Sequence, residues 1–219
     1  MYYQIKGLVL NSKISGEADK TVSIYTYEWG KIAAIVPSAK KIAAKLNGAT
    51  EPLTESEFMI YQSHPSMRPK ITGAQILNNY TKTKTAFKNN LYALYAAEIS
   101  DKLLPFNSPN IKKYQLLSRI WQALGECKNC RRAVAAFTLR FLSLSGYAFK
   151  DYISQGNMSI DRESADALNK IANCSADDLD EMIFDDEKIC GSVEDYLLNY
   201  IKKPAAAVFI KKMKLKNFL

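Results

Sequence analysis

The chain has 219 residues, 47% of them apolar, and a formal net charge of +8. That length suits one or two domains with a real core. No window approaches about 18 uninterrupted apolar residues, which argues against a membrane-spanning helix, and the opening MYYQIKG lacks the apolar region of a secretory signal, so a cytoplasmic setting is expected.

The charge is unevenly placed. Residues 1–84 hold 11 basic and 6 acidic side chains, residues 85–150 hold 10 and 3, and residues 151–219 hold 9 and 13. A cationic body of this kind draws phosphate backbones by steering and counterion release; the plainer alternative is that the charge serves solubility. Four cysteines, Cys127, Cys130, Cys174 and Cys190, are few for the length and fit a reducing compartment without a disulfide framework.

In chain order, residues 3–10 alternate, with Tyr3, Ile5, Gly7 and Val9 on one face and Gln4, Lys6, Leu8 and Leu10 on the other. A loop containing Gly16 leads to a second run at 21–27, with Val22 and Ile24 opposite Ser23, Tyr25 and Tyr27. The turn Glu28-Trp29-Gly30 then predicts a hairpin into 31–36. Pro52 precedes a fourth strand, with Phe58 and Ile60 opposite Met59 and Tyr61. The loop from His64 to Pro69 holds two prolines and cannot be a central strand, and 70–77 reads as a fifth strand. Five antiparallel strands in so few residues, curled enough to close, have the size of an OB-fold barrel.

The period then becomes helical. Phe87, Leu91, Leu94, Tyr95, Glu98, Ile99 and Leu103 recur every three to four residues until Pro105. Ser108-Pro109-Asn110 starts a helix with Tyr114, Leu117, Ile120, Trp121 and Leu124 on its inner face, and a third helix from about Arg131 to Ser145 is closed by Gly146. Shorter helices are expected at about 161–172, 176–183, 192–202 and 205–216. The fold class is therefore α+β, all-β then all-α: an OB-fold barrel domain at 1–80, expected to bind nucleic acid if the charge is read that way, and a helical bundle domain at 81–219. The basic run at 211–216 suits a solvated helix end, with a second phosphate contact as the alternative.

Catalytic chemistry finds little footing. The single histidine, His64, sits in the proline-flanked loop, where a surface role rather than a catalytic one is expected. No phosphate-binding glycine loop is present. The acidic stretch at 177–181 reads as a helix start with acids in its first turn rather than a metal cluster. Cys127-Lys128-Asn129-Cys130 has the spacing of half a zinc site, but Cys174 and Cys190 are 16 residues apart, so zinc is not expected and no cofactor is assigned.

The ordered motifs resemble the bacterial recombination-mediator family RecO. Leu10-Asn11-Ser12 followed by Gly16-Glu17-Ala18-Asp19, the hairpin Thr26-Tyr27-Glu28-Trp29-Gly30-Lys31, the basic loop Pro37-Ser38-Ala39-Lys40-Lys41 and the step Gly48-Ala49-Thr50-Glu51-Pro52-Leu53-Thr54 are similar to that family's N-terminal barrel. Tyr92-Ala93-Leu94-Tyr95-Ala96-Ala97-Glu98, and Phe137 to Leu142 with Gly146-Tyr147, are similar to its helical half. There are departures. The family's four-cysteine zinc ribbon is missing, since residues 150–161 hold no cysteine. Ala135 and Ala136 stand where many relatives carry arginine, associated with docking the acidic tail of single-strand binding protein, SSB. Pro204-Ala205-Ala206-Ala207 replaces the family's Pro-Leu-Lys-Ser step.

The resemblance implies a non-enzymatic, nucleoid-associated DNA repair protein. It would bind single- and double-stranded DNA, anneal strands, and with RecR help load RecA onto SSB-coated DNA; a protein adaptor whose barrel docks another protein is the alternative. Candidate phosphate contacts are Lys13, Lys20, Lys31, Lys40, Lys41 and Lys45, with Arg68 and Lys70. Tyr25 and Tyr27 either stack bases or pack the barrel. Arg131, Arg132 and Arg140 are a candidate secondary basic patch, which on the resemblance would stand in for the missing arginines toward SSB.

Overall fold

The computed structural model describes residues 1–15, 19–37, 46–147, 162–173 and 186–201. The Gly16 loop, the basic segment with Lys40, Lys41 and Lys45, Cys174, the acidic stretch at 177–181, the helices expected at 176–183 and 205–216, and the basic run at 211–216 lie outside the described residues. The chain forms two compact units, Met1–Glu126 and Cys127–Leu219.

In the first unit, β1 (Tyr2–Ser15), β2 (Asp19–Thr26), β3 (Gly30–Val36), β4 (Glu55–Tyr61) and β5 (Lys70–Asn78) close into a barrel of order β1-β2-β3-β5-β4. β1 serves two partners: Tyr2 to Leu8 pair with β4, and Gly7 to Ser15 pair with β2. A register shift between Val9 and Asn11 permits the change of partner. There the Val9 N–H donates to Thr54 O at 2.9 Å and the Leu53 N–H donates to Val9 O at 3.1 Å.

The barrel is not antiparallel throughout, as the alternation alone suggests. Five strands in a closed ring cannot all alternate in direction, so one neighbouring pair must be parallel. That pair is β3 with β5, in register at Ile35 and Lys70, with the Ile35 N–H donating to Pro69 O at 2.8 Å. This is the OB-fold connectivity.

The alternation correctly sorts the interior. Ile5, Val9, Val22, Ile24, Ile32, Ala34, Val36, Phe58, Ile60 and Ile71 fill the barrel, joined by Leu46 ahead of a single 3-10 turn at Gly48–Thr50. Gly30 makes the β2–β3 turn possible. Its φ is +72°, and a Cβ there would lie 2.4 Å from the carbonyl carbon of Ser108. Thr26 Oγ1 locks the same turn, accepting from the Trp29 N–H at 3.0 Å and donating to Gly30 O at 2.8 Å.

Three helices complete this unit: α1 (Thr81–Thr85), α2 (Phe87–Leu103) and α3 (Ile111–Ala123). Asn110 caps α3 by accepting from the Lys113 N–H at 3.1 Å. Helix α2 packs against β1; of the residues that recur along it, Tyr95 and Ile99 are buried while Leu94 is exposed. Phe87 is 78% exposed, whereas Tyr92, Ala93, Ala96, Ala97 and Ser100 are buried. The small side chains form a stripe at helical spacing that allows close approach. Leu8 and Leu10, which alternation points away from the barrel interior, are buried as well.

A polar cluster anchors the β4 start to α3. The Glu55 carboxylate accepts from Tyr114 Oη at 2.9 Å and from Tyr80 Oη at 2.8 Å, and Tyr80 Oη also contacts Ser118 Oγ at 2.9 Å. Burial, first of all, raises both tyrosine hydroxyls well above their ordinary range, and the Glu55 charge adds to it.

The second unit contains α4 (Cys130–Ser143), α5 (Arg162–Asn173) and α6 (Asp186–Ile201). α4 packs on both of the others and is buried from Ala133 to Leu139. It ends as expected at Gly146, φ +85°, where the Gly146 N–H donates to Ser143 O and the Tyr147 N–H to Leu142 O. α6 starts six residues earlier than the sequence spacing suggests, and Gly191 lies within it.

Candidate nucleic-acid interface

Strand register builds a cationic row. Lys13 pairs with Thr21, Thr21 with Ile35, and Ile35 with Lys70, so four strands place these residues side by side. Val22 points into the barrel, so by alternation Thr21 and its row face outward. Lys13 and Lys70 are exposed at its two ends. Three strand spacings separate them, roughly 14 Å, about the rise of four stacked nucleotides. Lys20, the residue before Thr21, takes the opposite face by the same alternation: it pairs with the core residue Val36 and is half-buried, with Nζ 3.4 Å from Thr50 Oγ1.

Arg68 is exposed on the loop that enters β5. That loop is internally braced. Gln62 Nε2 donates to Pro65 O at 3.2 Å and to Met67 O at 2.7 Å, the Met67 N–H donates to His64 O, and His64 Nδ1 lies 2.8 Å from Ser66 Oγ. The lone histidine therefore shapes the loop that presents Arg68. Beside the loop lies an open recess of about 550 Å³, lined among others by Trp29, Met67, Arg68 and Phe106.

Other candidates are engaged inside the first unit. Lys31 is 7% exposed. Its Nζ donates to Asp101 O and, at 3.3 Å, to Leu104 O; it pairs with Asp101 Oδ1 at 3.4 Å and sits 4.5 Å from the Phe106 ring centroid. Tyr25 is fully buried, and its hydroxyl donates to Asn110 O at 3.2 Å. Burial pushes that hydroxyl up to about 12. Tyr27 keeps 40% of its surface exposed but meets Tyr114 edge-on, centroids 5.5 Å apart. Of the two readings of these rings, packing describes Tyr25. The β2–β3 face and adjoining loops are where OB-folds bind oligonucleotides. Here Asp101, Leu104, Asn110 and Tyr114 occupy much of that face, and the exposed cations sit at its margin.

In the second unit, Arg131 donates through Nε and Nη2 to Glu194 Oε1 at 3.3 and 3.2 Å. Arg140 donates to Ala172 O at 2.7 Å and to Ile171 O at 3.3 Å. Nine residues at about 100° each put Arg131 and Arg140 on opposite sides of α4, so the helix does not gather them into one patch. Arg132 is half-buried in the first turn of the helix, and its backbone N–H donates to Asn129 Oδ1. Ala135 and Ala136 are buried. The Cys127 and Cys130 sulfurs lie 3.3 Å apart, and no group of three or more His, Cys, Asp or Glu that could hold a metal occurs among the described residues. Among those residues, too, no helix is long and apolar enough to cross a membrane.

A closed five-stranded barrel of this connectivity, followed by helices, places the chain in the class of OB-fold proteins with a helical C-terminal part. Residues 1–80 match the family model "Recombination protein O N terminal", and residues 85–150 match "Recombination protein O C terminal". The chain belongs to the RecO family. It is similar to the DNA repair protein RecO of Moorella thermoacetica, 31% identical over 145 residues, covering 65% of this chain and 54% of that protein. It is also similar to that of Heliobacterium modesticaldum, 30% identical over 149 residues, covering 66% and 52%, and to that of Listeria monocytogenes, 26% identical over 141 residues, covering 64% and 54%. The chain thus matches about half the length of these curated relatives.

Proposed function

We propose that this protein acts in DNA repair and recombination as a DNA-binding mediator, and that the margin of its barrel holds the phosphate backbone. The observation that carries the reading is the row from Lys13 to Lys70, exposed at both ends and joined by the exposed Arg68 on the loop that enters β5. Such a row neutralises successive phosphates without reading bases, which suits sequence-tolerant binding. Lys40, Lys41 and Lys45 belong to the same reading through their place in the sequence. Membership of a family whose relatives are named DNA repair proteins supports the biological role. On that ground the partners are single- and double-stranded DNA, RecR and the SSB tail, with RecA loaded as a consequence; the work is strand annealing and needs no covalent step. Its setting is the nucleoid in the cytoplasm.

The test is fluorescence anisotropy of labelled single- and double-stranded DNA across a salt series. The triple variant Lys13→Gln/Arg68→Gln/Lys70→Gln is expected to lower the slope of log affinity against log salt by about 2 on single strands and slightly more on duplex. An unchanged slope would remove the barrel margin as the DNA site. No binding by the unaltered protein at micromolar concentration and moderate salt would instead favour the protein adaptor.

A further inference from the structure

The cationic row does not end at Lys70. Lys70 pairs with Tyr61 on β4, and Tyr61 pairs with Tyr2 on β1. Ile60, next to Tyr61, is inside the barrel, so by alternation Tyr61 and its partners share the outer face. Tyr2 is 67% exposed, and its ring centroid lies 5.0 Å from that of Tyr61 at an interplanar angle of 49°. The ladder extends past the pair, with the Gln62 N–H donating to Met1 O at 3.0 Å, so both rings are held on a fixed backbone. The next pair on this face is Gln4 with Met59, and Met59 is 43% exposed.

We infer that Tyr2 and Tyr61 form a stacking platform for an unpaired base of single-stranded DNA, with Lys70 holding the adjoining phosphate. The inference rests on the DNA-binding reading and adds to it a preference for single strands. Core packing does not account for a ring two-thirds exposed on a strand. The mutual contact of the rings orders them before a base arrives, so little freedom is lost on binding. Lys70 stands one strand away, at roughly 5 Å laterally, which couples an aromatic face to a cation as single-strand sites do. A duplex hides its base faces and gains nothing from such a platform.

The experiment uses the full chain, with Tyr2→Ala and Tyr61→Ala variants, and Tyr→Phe at each position as controls. The probes are a single-stranded oligonucleotide carrying 2-aminopurine, a plain single strand and a duplex, each titrated at two salt concentrations. Each alanine variant is expected to lose roughly 5- to 150-fold in single-strand affinity, the equivalent of about 1–3 kcal/mol of base–aromatic stacking. The salt slope and the duplex affinity stay unchanged, the binding-induced quenching of 2-aminopurine is lost, and phenylalanine preserves it.

Single-strand affinity and quenching equal to the unaltered protein would overturn the platform while the salt-dependent DNA reading stands. Equal loss on single strand and duplex, with a lowered Tm, would overturn it in favour of a cross-strand pair that only stabilises the barrel. Absence of all DNA binding by the unaltered protein would remove both.

Discussion

Lys31 offers the sharpest separation of fold from function, because its sequence position suggests a phosphate contact and its surroundings give it a different task. The informative substitution is Lys31→Met, which keeps an unbranched apolar stem of similar length and removes the charge that sits over Phe106. Asp101 then loses its cation. Removing one partner of a buried ion pair costs about 3–5 kcal/mol. Here the Asp101 side chain retains 19% exposure and still accepts from Ser23 Oγ at 2.6 Å, so a loss nearer about 2–3 kcal/mol follows. At roughly 2–4 °C per kcal/mol for a chain of this size, Tm should fall by roughly 5–10 °C. The assay pairs thermal and urea unfolding, followed by circular dichroism, with DNA titration of the folded variant at several salt concentrations. The salt slope should not move. Adding Asp101→Asn removes the stranded charge and should recover part of the stability. An unchanged Tm together with a slope lowered by about one phosphate contact would refute the reasoning and return Lys31 to the DNA surface.

Two further outcomes follow from the first unit. Gly30→Ala forces a side chain into a left-handed turn and against the Ser108 carbonyl; a stability loss of at least about 1–2 kcal/mol, seen as a lowered urea midpoint with an unchanged m-value, is expected. Tyr25, Tyr80 and Tyr114 all have hydroxyls raised by burial. A raised folded-state value contributes stability that is present below the unfolded tyrosine range near pH 10 and is lost as pH climbs through the folded values. For Tyr25 that window runs from about 10 to about 12. Urea midpoints should fall across it, and Tyr25→Phe should flatten that fall; an identical pH profile in the variant would contradict the assignment.

Much of the barrel was legible because its interior obeys a period of two: Val22, Ile24, Ile32, Ala34, Phe58 and Ile60 all stand where alternation puts them. The parallel closure was not, since hydrophobic pattern says which face is inside but not which strands meet across a gap. That closure sets the site, for Lys70 joins the row of Lys13 only through Ile35. Alternation also places Lys31 and Tyr25 on the outer face, and in an isolated barrel outer means wet. Here α2, the 104–110 segment and α3 cover them, a tertiary fact with no local signal. In α2 the periodic reading holds for Tyr95 and Ile99, which are buried beside Ala93, Ala96 and Ala97, and fails for Phe87 and Leu94, which are exposed. Arg131 and Arg140 look like neighbours in a basic helix, and helical geometry sends them to opposite sides. A signal for Tyr2 and Tyr61 did exist: an aromatic residue at each of two strand ends, on the face that alternation assigns to solvent.

The parallel contact between β3 and β5 has a dynamic consequence. Elsewhere the barrel is zipped by long antiparallel ladders, but here register rests on one residue pair, Ile35 with Lys70. A ring opens first at its thinnest joint, so this is where the barrel breathes most easily. Lys13 lies on one bank of that joint, Arg68 and Lys70 on the other. A polyanion lying across it would act as a clasp, tying the two banks together and damping the opening in proportion to its occupancy. The same three side chains would then let bound DNA set the stiffness of the protein that carries it.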